Sequence, residues 1–233
     1  MDNILVKRYV HTSYDNWPGK ITSLIYLGGC NFRCPFCNTP ELVKNHQAVP
    51  NLNFSDVISH LTNRKNWIDA VVITGGEPSL HKADVIEMLN ELKAEGFKTK
   101  VETNGFDLEF ITELNKLQLV DLWSIDIKAS LDMYKKATDI DVKAETMRRT
   151  IKAVIESGVN HEFKTVAVPG LHDKFQIFKL AQELQGAQKY IIHNFDPSST
   201  LDPHYMIIKP FTEKQIAALA EQARQFIKDV EIR

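Results

Sequence analysis

Ala70-Val71-Val72-Ile73-Thr74-Gly75-Gly76-Glu77-Pro78 is an apolar, β-branched run that stops at a pair of glycines. After it, residues 82–95 place Val85, Ile86, Met88, Leu89 and Leu92 on one helical stripe that stops at Gly96. A second apolar run, 99–103, then stops at Asn104-Gly105. Strand, helix and strand in this order make a βαβ unit, and near-continuous apolar runs fit parallel strands buried on both faces. Working outward, runs 21–27, 122–127, 161–168 and 189–194 repeat the strand pattern. Segments 53–63, 143–157, 175–184 and 212–228 repeat the helical one, with Gly158 suited to close the second of these. Six strands alternating with helices predict an α/β fold with a parallel sheet and right-handed crossovers. Six are too few for a full eight-stranded barrel; an open, partial barrel and a doubly wound sheet both fit. No linker, repeat or low-complexity tract interrupts the pattern, so residues 1–233 are expected to form a single domain.

The composition is that of an ordinary globular protein. A net charge of −2 supplies no general electrostatic reason to bind nucleic acid or an anionic membrane. No apolar run approaches the roughly 18 residues of a membrane span. Residues 1–8 break their apolar stretch with charge and lack a secretory signal. All three cysteines fall between residues 30 and 37, an odd, clustered count that argues against a disulfide framework and for a reducing cytoplasm.

In α/β folds of either winding, active residues gather at the C-terminal ends of the strands. Here those ends carry Cys30, Cys34 and Cys37; Gly75, Gly76 and Glu77; Glu102, Thr103 and Asn104; Asp126 and Lys128; Lys164; and His193 with Asn194. Cys30-x3-Cys34-x2-Cys37 can bring three thiolates to one metal centre, too few for a four-thiolate site. One reading is zinc completed by a histidine, with His46, His11 or His60 as candidates, although no second, distant ligand pair is visible. A [4Fe–4S] cluster with three protein thiolates and one open iron fits the count better, with Phe32 and Phe36 shielding it. At Gly75-Gly76-Glu77-Pro78 two glycines let a ligand approach the backbone, and Glu77 can accept hydrogen bonds from an amino group. The same residues also read as a tight turn and helix entry; they match neither phosphate-binding glycine pattern. Asp126 and Lys128, two apart on one strand face, read equally as a structural ion pair, and His193 as a polar core residue.

In their order on consecutive strands, the cysteine loop and Gly75-Gly76-Glu77-Pro78 resemble the radical S-adenosylmethionine superfamily. Within it, several stretches are similar to activating enzymes of glycyl-radical enzymes. These are Trp17-Pro18-Gly19-Lys20, the loop at 28–42, Glu102-Thr103-Asn104-Gly105, Ser124-Ile125-Asp126-Ile127-Lys128, Val168-Pro169-Gly170-Leu171-His172-Asp173 and Asn194-Phe195-Asp196-Pro197. The likeness runs over residues 12–230. It implies a partial (β/α)6 TIM-like barrel, and a cluster on Cys30, Cys34 and Cys37 whose open iron takes the amino and carboxylate groups of S-adenosylmethionine. Reductive cleavage then gives methionine and a 5′-deoxyadenosyl radical. The resemblance further implies that Gly75, Gly76 and Glu77 hold the methionine amino group. Glu102 and Asp126 would lie near S-adenosylmethionine around a monovalent cation, Lys128 would meet its carboxylate, and His193 would approach the nucleoside.

The implied partner is a glycyl-radical enzyme, anaerobic ribonucleoside-triphosphate reductase above others. Relatives with an inserted ferredoxin-like domain need about eight more thiolates for two clusters, and this chain has none, so electrons are expected from flavodoxin or ferredoxin. Asn38, where many relatives have histidine, and Lys164, where relatives often have arginine, depart from the pattern. Two competing readings remain open at this level: a 7-carboxy-7-deazaguanine synthase acting on a small molecule, and a non-catalytic zinc module. Against the former, its usual Cys-x-Trp-Cys-Asp loop is here Cys34-Pro35-Phe36-Cys37-Asn38.

Overall fold

The computed structural model describes residues 4–233; the absence of a secretory signal was read partly from residues 1–3, which lie outside the described residues. These residues form two compact units. The chain crosses between them five times, after Asn31, Pro40, Thr103, Ile111 and Trp123.

The first unit comprises the residues up to Asn31, Glu41–Thr103 and Thr112–Trp123. Its strands are β1 (Leu5–Val6), β2 (Arg8–Ser13), β3 (Thr22–Leu27), β4 (Leu52–Asn53), β5 (Ala70–Gly75) and β6 (Lys98–Thr103). Helices α1 (Pro40–Lys44), α2 (Phe54–Thr62) and α3 (Lys82–Ala94) connect them. β3 pairs in parallel with β5 from Thr22↔Ala70 to Leu27↔Gly75, and β5 with β6 from Ala70↔Lys98 to Ile73↔Val101. Val71, Val72, Ile73 and Val101 are wholly buried, which explains why these strands read as unbroken apolar runs. On α3 four of the five residues of the predicted stripe are buried, Val85, Met88, Leu89 and Leu92, while Ile86 is half-buried. The helix ends where Gly96 takes φ +84°. Gly96 N–H donates to Lys93 C=O and Phe97 N–H to Leu92 C=O, the paired bonds of a Schellman cap, with buried Phe97 and Leu92 as its apolar partners.

The second unit comprises Phe32–Pro40, Asn104–Ile111 and Ser124–Arg233. Helix α4 (Leu108–Lys116) and strand β7 (Leu122–Asp126) each have one end in it. It then carries α5 (Tyr134–Thr138), α6 (Ala144–Glu156), β8 (Asn160–Ala167), α7 (Lys174–Glu183), β9 (Tyr190–Asn194), α8 (Glu213–Ala223) and β10 (Val230–Ile232). β8 pairs in parallel with β9, and β9 with β10. Asp173 caps α7 by accepting from Gln176 N–H, and Thr212 with Gln215 makes a capping box on α8.

Successive parallel strands thus add in sequence order, β3–β5–β6 in one unit and β8–β9–β10 in the other, with no reversal. A doubly wound sheet reverses at its switch point, so the winding is that of a barrel. β2 and β10 each have one partner strand among the described residues, and the sheet does not close. The fold is α/β, a partial TIM-like barrel. All six expected strands form. Beyond them the structure adds β2, an antiparallel edge strand on β3, the two-residue β1 and β4, and the three-residue β10. It also adds α4, which the sequence reading missed although Asp107, accepting from Phe110 N–H, marks its start.

Candidate functional site

The expected site residues are shared out between the two units. In the first, β3 runs into Gly28-Gly29-Cys30, and Gly29 adopts φ +84°. Gly29 N–H donates to Leu42 C=O, and His81 Nε2 lies 2.7 Å from Gly28 C=O. Against this stretch lies the turn after β5. A Cβ on Gly75, whose φ is +123°, would stand 2.4 Å from the backbone of Leu27, and one on Gly76 would stand 1.8 Å from Gly29 C=O. Backbone meets backbone here, and only glycine fits. The Gly75-Gly76 pair is therefore required by the approach of the strand that bears Cys30.

Glu77 is 1% exposed, and its carboxylate accepts from Ser79 N–H and from the Thr103 hydroxyl at 2.5 Å. That fastens the turn to the end of β6. Glu102 accepts from the Thr74 hydroxyl and lies 3.2 Å from the ammonium of Lys100. Lys100 is 1% exposed and also donates to Asn16 C=O. The sequence reading passed over Lys100, yet its spacing of two from Glu102 is the signal that exposed Asp126 and Lys128. Glu102 thus has a protein cation beside it.

In the second unit the cysteine loop continues. Arg33 N–H donates to Thr138 C=O, and Cys37 N–H to Cys34 C=O at 3.0 Å, a turn with Pro35 at the position where its fixed φ is favourable. Phe32 packs edge-on against Phe106 and Tyr134, and Phe36 packs against Tyr205. Both rings are buried and anchor the loop between its sulfurs. Asp202 N–H donates to Pro35 C=O, which ties the turn Pro203–Ile207 to the same loop. The Thr39 hydroxyl lies 3.6 Å from Cys37 Sγ, just after the divergent Asn38.

At the end of β7, Lys128 Nζ lies 2.7 Å from Asp126 Oδ2. Burial alone would push the Lys128 ammonium down, but Asp126 and the sulfurs of Cys34 and Cys37 outweigh it and hold the group well above the ordinary lysine value. The structure therefore brings Lys128, Asp126, Cys34 and Cys37 into one electrostatic neighbourhood, beyond the local ion pair the spacing alone allowed. Lys164 C=O accepts from Ile127 N–H, and His193 stands opposite Val166 in the β8–β9 register. In the same unit, Ser124 donates to the buried carboxylate of Glu162 at 2.9 Å.

Two of the histidines weighed for zinc, His11 and His60, are engaged with each other and with Tyr9, whereas His46 lies beside Gly28 and Gly29. His11 and His60 stack with centroids 4.4 Å apart, and Tyr9 hydroxyl bonds His60 Nδ1. Among the described residues no three of His, Cys, Asp or Glu are grouped to hold a single metal ion. None of the cysteines is in a disulfide. Three soft thiols on one loop, with a lysine cation near two of them, suit the anionic charge of an iron–sulfur cluster.

Comparison with known proteins agrees. The pattern of the radical SAM superfamily matches residues 24–181. A Methanocaldococcus jannaschii protein named as a glycyl-radical enzyme activating enzyme is 31% identical over 98% of this chain and 95% of its own length. A pyruvate formate-lyase-activating enzyme of Clostridium pasteurianum is 28% identical over 83% of this chain and 79% of its own. Among solved structures, Streptococcus suis SuiB bound to S-adenosylmethionine aligns with a TM-score of 0.67 at 16% identity, covering 90% of this chain. This chain spans about half the length of that one. The chain belongs to the radical SAM superfamily, among its glycyl-radical enzyme activating enzymes. It is thus an enzyme of the class that uses S-adenosylmethionine with a [4Fe–4S] cluster. No helix among the described residues is long and apolar enough to cross a membrane.

Proposed function

We propose that the chain, acting as a single domain in the reducing cytoplasm, installs a glycyl radical on anaerobic ribonucleoside-triphosphate reductase. Flavodoxin or ferredoxin supplies the electron. The observation that supports it most is the near-full-length likeness to a protein named as a glycyl-radical enzyme activating enzyme. Cys30, Cys34 and Cys37 hold the cluster. Bound there, a [4Fe–4S] cluster and S-adenosylmethionine would supply the radical chemistry needed to remove a hydrogen from a glycine Cα of the partner.

The chain's own part is binding and orientation. The backbone of Gly75 and Gly76, packed against Leu27 and Gly29 where Cβ atoms would otherwise stand, offers its polar groups to the amino end of the methionine moiety. Glu77, already fastened to Ser79 and Thr103, keeps that backbone in place. Lys128 meets the methionine carboxylate and offsets the charge of the thiolates, a role suited to a partly buried ammonium with Asp126 as counter-ion. Glu102 and Asp126 flank S-adenosylmethionine. The contact of Glu102 with Lys100 makes Lys100 the resident cation on that side and weighs against a monovalent ion there. His193, at the end of β9, approaches the nucleoside.

The test is anaerobic reconstitution, then reduction with S-adenosylmethionine in the presence of the reductase or of pyruvate formate-lyase, read by electron paramagnetic resonance. A glycyl radical on the reductase is expected. Release of 5′-deoxyadenosine without a radical on that reductase would overturn the partner assignment.

A further inference from the structure

The segment Val168-Pro169-Gly170-Leu171-His172-Asp173 follows β8 directly. Pro169 and Gly170, the latter at φ +84°, make the central pair of a β-turn closed by Leu171 N–H to Val168 C=O, the residues a type II turn demands. His172 N–H bonds the same carbonyl at 2.8 Å. The turn thereby drives the imidazole inward, where it is 2% exposed. Its two nitrogens are both committed. Nδ1 accepts from Val168 N–H at 3.0 Å, which leaves the proton on Nε2, and Nε2 donates to Lys128 C=O at 3.0 Å. On the other side of the same residue, Lys128 N–H donates to the Tyr134 hydroxyl at 3.3 Å. Tyr134 is itself buried and packed on Phe32 of the cysteine loop.

We propose that His172 is a positioning residue. With Tyr134 it clamps the backbone of Lys128 from both sides and so holds the Lys128 ammonium beside Asp126, Cys34 and Cys37. The proposal rests on the cluster reading of these cysteines and assigns the histidine a task there. Burial keeps the imidazole neutral at working pH, its pKa pressed down to about 4, so the clamp is a fixed hydrogen bond and does not titrate with the reaction.

A cation near the cluster stabilises its reduced, more negative form, so a Lys128 that drifts away makes reduction harder. The full chain is reconstituted anaerobically as wild type, His172→Leu, His172→Gln, Lys128→Met and the His172→Leu/Lys128→Met double variant. The midpoint potential is read on iron-replete protein without S-adenosylmethionine, and the affinity for S-adenosylmethionine is measured separately. His172→Leu is expected to move the potential in the negative direction, as Lys128→Met does. It should also weaken S-adenosylmethionine about tenfold, the worth of one lost hydrogen bond. His172→Gln, which keeps a donor, should restore most of both. The double variant should match Lys128→Met alone, since His172 acts through Lys128.

Wild-type potential and affinity in iron-replete His172→Leu, or effects that add in the double variant, overturn the proposal. Should His172→Leu not fold, Tyr134→Phe decides in its place: a negative shift supports the clamp and an unchanged potential refutes it. Failure of wild type itself to take up iron defeats the cluster reading and the proposal together, and is seen before any variant is compared.

Discussion

Gly76→Ala tests the contact on which the site is built. A Cβ on Gly76 would lie 1.8 Å from Gly29 O, 2.6 Å from its carbonyl carbon and 3.2 Å from its nitrogen. Ordinary contact begins at 3.4 Å, so two backbone segments must part by about 1.6 Å. Neither partner is a flexible side chain, which puts the cost at the upper end of overpacking, about 3 kcal/mol. Gly76 does not take a left-handed φ, so none of that cost comes from its own conformation. The displaced segment leads into Cys30, and a misplacement of about 1 Å at a reacting centre costs on the order of 100-fold in rate. Gly158→Ala is the control: φ is +74° there with nothing within 4 Å, so only the left-handed strain of about 1–2 kcal/mol applies and the site is untouched. Urea denaturation of the metal-free protein gives the stabilities, and iron per chain with the rate of 5′-deoxyadenosine formation gives the function. Gly76→Ala should lose about 3 kcal/mol and about 100-fold in rate, whereas Gly158→Ala should keep the rate. A Gly76→Ala protein within about 0.5 kcal/mol of wild type and equally active would refute the reasoning.

Cys34→Ala should abolish cluster binding, since Cys34 is one of three thiolates on the loop, while circular dichroism shows the fold retained; normal iron content would contradict the ligand assignment. Asp121 accepts from Thr99 N–H and lies 2.5 Å from Lys93 and 3.2 Å from Lys98. Burial raises its pKa, but these donors outweigh burial and leave it below the ordinary carboxylate value, so its contribution is present above about pH 4 and fades as pH falls further. Asp121→Ala should cost about 1–3 kcal/mol at neutral pH, and a neutral result in denaturant would refute this. His172 has the opposite chemistry and the same direction of pH dependence. Its folded pKa of about 4 lies below the ordinary histidine value near 6.5, so the unfolded chain binds the extra proton between those values. Stability should fall by up to about 3 kcal/mol as pH drops from about 6.5 to about 4. The fall should shrink in His172→Gln, and an equal fall in that variant would contradict it.

The strands β3, β5, β6, β7, β8 and β9 were legible because both faces of a parallel strand are apolar, so burial writes itself into consecutive residues such as Val71, Val72 and Ile73. β2 was not legible because it is an edge strand of mixed, partly exposed residues, and β10 because three residues carry no period. The cysteines, the Gly75-Gly76 pair and the Asp126/Lys128 spacing were equally open to reading, since chemistry demands those residue types at those intervals. Spacing could also suggest that Lys128 and Asp126 pair. Only the folded chain shows that the sulfurs of Cys34 and Cys37 share the field of Lys128, because Coulomb interaction depends on distance through space. The sequence alone carried the class of fold and the gathering of all three cysteines on one loop. Tertiary structure alone decided that Glu77 is fastened to Thr103, that Lys100 donates to Asn16 C=O and that His172 grips Lys128. Each is a contact between strand ends or loops far apart in the chain, and periodicity carries no record of such contacts.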